Sequence, residues 1–162
     1  MRATNVTFRQ KLGRVLTPFY MLKSRVTRGM TLGVRGAVLD GQGRVFMVKH
    51  TYVPGWYLPG GGVDGGETIA DAMARELLEE GNITVTSPPE LLGLYQNREV
   101  NRRDHVAFFV IRSFALGQAK QADAEIADVG FFHPDDLPPD TTKATHRRLA
   151  EIAGTRTPDG YW

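Results

Sequence analysis

Residues 58–83 read LPGGGVDGGETIADAMARELLEEGNI, and the rest of the chain is arranged around this stretch. It opens on glycines at 60, 61, 62, 65 and 66, which let the backbone approach a ligand closely. A helical pattern follows. Thr68 is a capping residue type, and Ile69, Met73 and Leu77 recur every four residues on one face. Glu76, Glu79 and Glu80 stand three and four apart, so all three address one side of that helix. Like charges at this spacing repel by about 0.2–0.5 kcal/mol per pair. A helix that keeps them is either solvated there or holds a cation. Dense carboxylate oxygens suit a hard ion such as Mg²⁺ or Mn²⁺. A glycine loop entering a helix N-terminus also presents amides to phosphate. Arg75 can hold a carboxylate in bidentate geometry.

The stretch resembles the Nudix box of MutT-like Nudix hydrolases over residues 61–83. That pattern is Gly, five residues, Glu, seven residues, then Arg-Glu-apolar-any-Glu-Glu-any-Gly-apolar. This chain supplies Gly61, Glu67, Arg75, Glu76, Leu77, Glu79, Glu80 and Ile83 in register. WYLPGG before the box and EIADVGFFHPDDLP after it extend the likeness to roughly residues 31–137. One position departs: Asn82 stands where the pattern has glycine. A glycine there ends the helix in a left-handed conformation, and Asn is the next residue best able to do so.

The resemblance implies an α/β fold, an α/β/α sandwich around a mixed β-sheet. It implies Mg²⁺- or Mn²⁺-dependent hydrolysis of a diphosphate linkage in a nucleoside diphosphate derivative. Glu76, Glu79, Glu80 and the Gly60 carbonyl would be metal ligands. Arg75 would orient a box glutamate, Glu67 or Glu79. Glu125 is the candidate general base, in a loop outside the box. Lys49, His50, Gly61 and Arg98 are candidate substrate contacts. Trp56, Tyr57 and Tyr95 can stack on a base or simply pack. The proline that ADP-ribose enzymes carry some fifteen residues beyond the box is missing, which argues against that substrate. The isomerases of this fold want a cysteine, and the chain has none. A Nudix-fold module that binds a nucleotide or a partner without hydrolysis is the alternative.

Working outward, Leu32–Leu39 and Arg44–Lys49 read as strands joined by a hairpin turn at Asp40–Gly43. Ile83–Val85 is a short strand, Leu91–Gln96 and Val106–Phe114 a strand pair, and Val129–Phe132 another strand. Pro134–Leu137 reads as a helical turn, and Thr142–Ala153 as a last helix with Arg147, Arg148 and Glu151 outward. Such a mixture argues one layered domain over residues 31–162.

Residues 1–30 form a separate basic amphipathic arm. Eight Lys or Arg precede the first acid, Asp40, and the remainder carries 12 basic residues against 18 acids. The arm has three readings: a helix covering a sheet edge, a weak contact with an anionic surface, or a transit peptide. An acidic body suits divalent cations, and no nucleic-acid motif accompanies the arm. No apolar run approaches membrane-spanning length. A chain with no cysteine and no secretory leader is expected in the cytoplasm. Oligomeric state stays open, a homodimer included.

Overall fold

The computed structural model describes residues 29–162. The readings of the N-terminal arm therefore fall outside the described residues. The elements run β1 (Thr31–Val38), β2 (Val45–His50), β3 (Trp56–Tyr57), α1 (Ile69–Gly81), β4 (Ile83–Val85), β5 (Glu90–Gln96), β6 (Asp104–Ile111), β7 (Phe114–Leu116), β8 (Ile126–Phe132) and α2 (Lys143–Ile152).

Three sheets result. The first is mixed: β6 lies between β1, which is parallel to it, and β5, which is antiparallel. The second places β2 between β3 and β8, both antiparallel. The third is the β4–β7 pair. Successive side chains on a strand point to opposite faces, so the central strands feed two cores. Val34, Val38, Phe46, Val48, Ala107 and Phe109 pack with Ala72, Met73 and Leu77 of α1. Ala37, Val45, Met47 and Phe108 pack with Trp56, Leu58, Tyr95 and Leu149 of α2. Helix α1 covers one face and α2 the other, which makes the expected α/β/α layering.

Three local expectations need correction. The Asp40–Gly43 turn forms, with Gly43 N donating to Asp40 O at 3.0 Å. The flanking strands do not pair as a hairpin, however, and share only the Leu39–Val45 bridge. The physical reason is that the glycine loop already occupies that edge of β1. Val34 N donates to Gly61 O at 2.8 Å, Gly36 N to Pro59 O at 3.0 Å, and Val63 N to Leu32 O at 2.9 Å. Residues 134–137 make a turn and no helix. Pro138 and Pro139 follow, and a proline pushes the preceding residue out of the helical region.

The third correction concerns α2. Arg147 is held to the main-chain oxygen of Trp162, Arg148 is wholly buried, and Glu151 is nearly so. The Arg148 guanidinium lies 3.7 Å from the centre of the Tyr95 ring and donates to Glu151 Oε1 at 2.7 Å. Tyr95 Oη donates to the other carboxylate oxygen at 2.7 Å. A charge is tolerated inside only when paired and hydrogen-bonded, and this one is also stacked on a ring. Tyr95 therefore belongs to the core and is not available to stack on a base. The same holds for Trp56, buried with its ring edge-on to Phe132 at 4.9 Å.

Candidate functional site

Helix α1 is fixed at both ends. Thr68 caps its N-terminus by accepting from Asp71 N at 3.1 Å. Asn82 ends it with φ 51° and ψ 38°, the left-handed conformation expected of it. The rest of Asn82 secures the turn: its Nδ2 donates to Gln118 O at 3.0 Å, and its carbonyl accepts from Gly117 N at 2.8 Å.

The glycine loop and the carboxylates are built against each other. Gly60 has φ +136°, and a Cβ there would lie 2.1 Å from Val34 O, so only glycine lets the loop rest on β1. Gly60 N donates to Glu80 Oε2 at 2.7 Å. The Glu76 carboxyl lies so close to Gly61 that a Cβ there would come within 2.5 Å of Oε1. Arg75 joins the set. It donates to both oxygens of Glu67, at 3.3 and 2.8 Å, to Glu76 at 2.7 Å, to Glu79 at 3.3 Å and to Gly62 O at 3.0 Å. The structure thus brings Gly60, Gly61, Arg75, Glu76, Glu79 and Glu80 together, with Glu67 held as well.

Burial shapes the electrostatics. The Glu80 carboxyl is pushed up to about 7 by burial, with Glu76 and Glu125 adding; Arg35 and the Gly60 amide oppose the rise. Burial also raises Glu76, against the pull of Arg75. His50 stands 3.7 Å from Glu80 through Nε2 and is held below its ordinary value by burial and by Arg35. The imidazole is therefore neutral at pH 7. Glu125 is exposed. Its Oε1 accepts from Tyr52 Oη at 3.4 Å, and its charge reaches Glu80, His50 and Tyr52.

Two candidate contacts go elsewhere. Lys49 parts from its neighbour His50: its Nζ lies 3.5 Å from Asp140 and faces the Trp56 ring. Arg98 sits 3.9 Å over the Tyr161 ring, while its neighbours Asn97, Glu99 and Val100 line a cavity of about 680 Å³. That cavity reaches from Gly61 and Gly62 to Trp162 and the start of α2.

Arg35 is the residue that sequence reasoning missed. It lines the cavity, donates to Leu58 O at 3.0 Å, and its charge reaches Glu76, Glu80 and His50. The signal was present as a lone charge inside the apolar strand GVRGAV.

A family model for the NUDIX domain matches residues 29–151. The chain belongs to the NUDIX family. A Bacillus subtilis Nudix relative provisionally named 8-oxo-dGTP diphosphatase is 34% identical over 67% of this chain and 70% of its own length. A MutT-like protein of Streptomyces ambofaciens is 30% identical over 80% of this chain and 75% of its length. Among solved structures, a MutT NUDIX hydrolase from Burkholderia pseudomallei superposes with a TM-score of 0.65 at 26% identity, covering 75% of this chain and 97% of that one. The chain is thus a Nudix hydrolase, with the Nudix fold. No helix among the described residues is long and apolar enough to cross a membrane.

Proposed function

We propose that this Nudix hydrolase cleaves a diphosphate linkage in a nucleoside diphosphate derivative with the help of Mg²⁺ or Mn²⁺. The observation that carries the reading is the carboxylate set packed against a glycine loop whose Gly61 and Gly62 line a nucleotide-sized cavity. Pockets for such ligands run to about 300–1,000 Å³, and this one is about 680 Å³.

The donor set fits a divalent cation. Glu76, Glu79, Glu80 and the Gly60 carbonyl offer hard oxygens. A cation would offset the burial that keeps Glu80 protonated near neutral pH. As they stand, no three His, Asp or Glu side chains among the described residues converge on one point. The Arg75 guanidinium holds Glu67, Glu76 and Glu79 in its place. Glu76, Glu79, Glu80 and the Gly60 carbonyl would hold the ion, with Arg75 beside them still holding Glu67. The ion supplies neutralisation of the diphosphate charge and an acidified water.

The remaining roles fall to the chain's own groups. Arg75 is a positioning residue that keeps the box glutamates on the loop side of α1. Glu125 takes the proton from the attacking water. Arg35 and the Gly61 amide region hold phosphate at the cavity mouth, with neutral His50 beside Glu80. Lys49 is the second candidate cation, through release of Asp140. Arg98 is committed to Tyr161, so phosphate binding is assigned to Arg35 before it. The protein is expected to act in the cytoplasm on a small-molecule substrate.

The test is release of phosphate or mononucleotide from a nucleotide panel with Mg²⁺ and Mn²⁺. Glu79→Gln, Glu80→Gln and Arg75→Lys should each lower kcat at least about tenfold, as losing an electrostatic or proton-transfer group does. Unchanged turnover in all three variants sinks the assignment. Nucleotide binding without turnover on any panel member would make the chain a binding module.

A further inference from the structure

One wall of the cavity comes from neither a helix nor a strand. Residues 155–162 leave α2 and return beside β5. Gln96 N donates to Gly160 O at 2.9 Å, and Trp162 N donates to Gln96 O at 3.0 Å. Arg147 holds the main-chain oxygen of Trp162. The indole meets Tyr95 and Phe108 at steep angles, with centroids 6.0 and 5.7 Å away, and the Arg148 guanidinium lies 5.4 Å from its ring centre. These contacts fix it to the core while leaving it half-buried on the cavity.

The cavity is therefore different at its two ends. Gly61, Gly62 and Arg35 border the carboxylate end. Trp162 borders the other, near Asp104, whose oxygens accept from Thr31 Oγ1 at 2.6 Å and Asn97 Nδ2 at 2.8 Å. An indole offers a phosphate a single N–H and no charge. It offers a nucleobase a π-face, and such stacking works with every base. One continuous cavity runs from Arg35 and from Gly61 and Gly62, in the loop that holds Glu76 and Glu80, to the indole, as a diphosphate joined to a nucleoside requires.

We infer that Trp162 is the residue that stacks on the nucleobase of the substrate. The inference rests on the proposed diphosphate reading of the same site and adds which part of the ligand goes where. It assigns the nucleobase contact to Trp162, outside the box.

Two properties make it testable apart from turnover. The chain has only two tryptophans, and the other, Trp56, is 7% exposed in the core. Titrations in EDTA, followed by intrinsic fluorescence and by calorimetry, would compare AMP, GMP, CMP and UMP with inorganic pyrophosphate. The monophosphates should quench wild-type fluorescence and pyrophosphate should not. Trp162→Phe should lose the quench yet still bind in calorimetry. Trp162→Ala should weaken monophosphate binding at least about fivefold, the lower range of base–aromatic stacking. In turnover, Trp162→Ala should raise KM for nucleotide substrates more than it lowers kcat, with Trp162→Phe restoring most of the loss. Thermal midpoints of both variants show whether the fold survives, and Trp162→Phe carries the test if Trp162→Ala unfolds.

A monophosphate that binds in calorimetry with no fluorescence change overturns the inference. So does absence of any monophosphate binding, or equal weakening of pyrophosphate and monophosphates in Trp162→Ala. Quenching in a protein with no turnover on any substrate would sustain the inference and remove the hydrolase reading. Turnover with a silent Trp162 would do the reverse.

Discussion

Replacing Glu80 by Gln should stabilise the metal-free protein at pH 8 and leave it nearly unchanged at pH 4. Glu80 is 5% exposed, and burial lifts its carboxyl from 4.5 to about 7. A folded-state pKa above the unfolded value means the folded protein binds that proton more tightly. The stability contributed by the neutral acid is fully present below pH 4.5. It declines as pH rises from there to 7, and above 7 the buried carboxylate is a net cost. One unit corresponds to about 1.36 kcal/mol, so ionisation costs the wild type on the order of 3 kcal/mol above pH 7. Glutamine keeps an oxygen that can accept from Gly60 N and never ionises. The difference between variant and wild type, which cancels other titrating groups, should thus grow across pH 4.5–7 and then level off. In thermal unfolding with EDTA the variant should gain roughly 5–10 °C at pH 8. Adding Mg²⁺ or Mn²⁺ at pH 8 should close the gap, because a ligand that binds the folded state stabilises it and the ionised Glu80 is the better ligand. A difference independent of pH, or a variant less stable than wild type at pH 8 in EDTA, would refute the reasoning.

Asn82→Ala should cost about 1–2 kcal/mol, because alanine pays the left-handed penalty without the Asn82 hydrogen bond to Gln118. Asn82→Gly should come within about 1 kcal/mol of wild type, losing the side-chain bond but removing the strain; chemical denaturation of both variants checks the order, and an alanine variant as stable as the glycine one contradicts it. Glu151→Ala should cost about 3–5 kcal/mol by leaving Arg148 charged, buried and unpaired. Replacing Arg148 and Glu151 together with Met and Leu should recover much of that loss in the same denaturation assay; equal losses in single and double variants would show that the pair is not coupled.

The sequence spoke clearly where local chemistry decides the structure. The Ile69–Met73–Leu77 stripe reports burial through a period that the helix imposes, and Thr68 and Asn82 act within their own turns. Glu76, Glu79 and Glu80 share a helix side by spacing alone. The glycine loop could be read as a close approach, since its φ values and its contact with Glu76 exclude larger residues. The failures share a cause as well. Arg148 and Glu151 look like an outward charged pair until Tyr95, more than fifty residues earlier, supplies the ring and hydroxyl that make burial tolerable. The β1–β2 hairpin fails because residues 59–63 claim the strand edge first. In each case a partner distant in sequence changed the environment of a residue whose own type was unremarkable.

The same division separates chemistry from specificity in this molecule. The box residues sit in one loop and one helix, so their relative positions are set by a short piece of chain, and of the proposed hydrolytic groups only Glu125 lies outside it. Their partners are local too: Arg75 reaches Glu67, Glu76 and Glu79 without leaving residues 67–79. The cavity proposed to hold the substrate is lined by β1, the glycine loop, the loop after β5, the start of α2 and Trp162. No spacing rule links those segments. Arg35 stands where the two sets meet, lining the cavity and lowering the cost of charge on Glu80. If the proposed nucleotide site is right, a change in the far segments alters which nucleotide is held while the geometry around Glu76, Glu79 and Glu80 stays as it is. On the proposed reading, that independence lets a box legible from one sequence state a reaction type and leaves the substrate to the cavity that Trp162 lines.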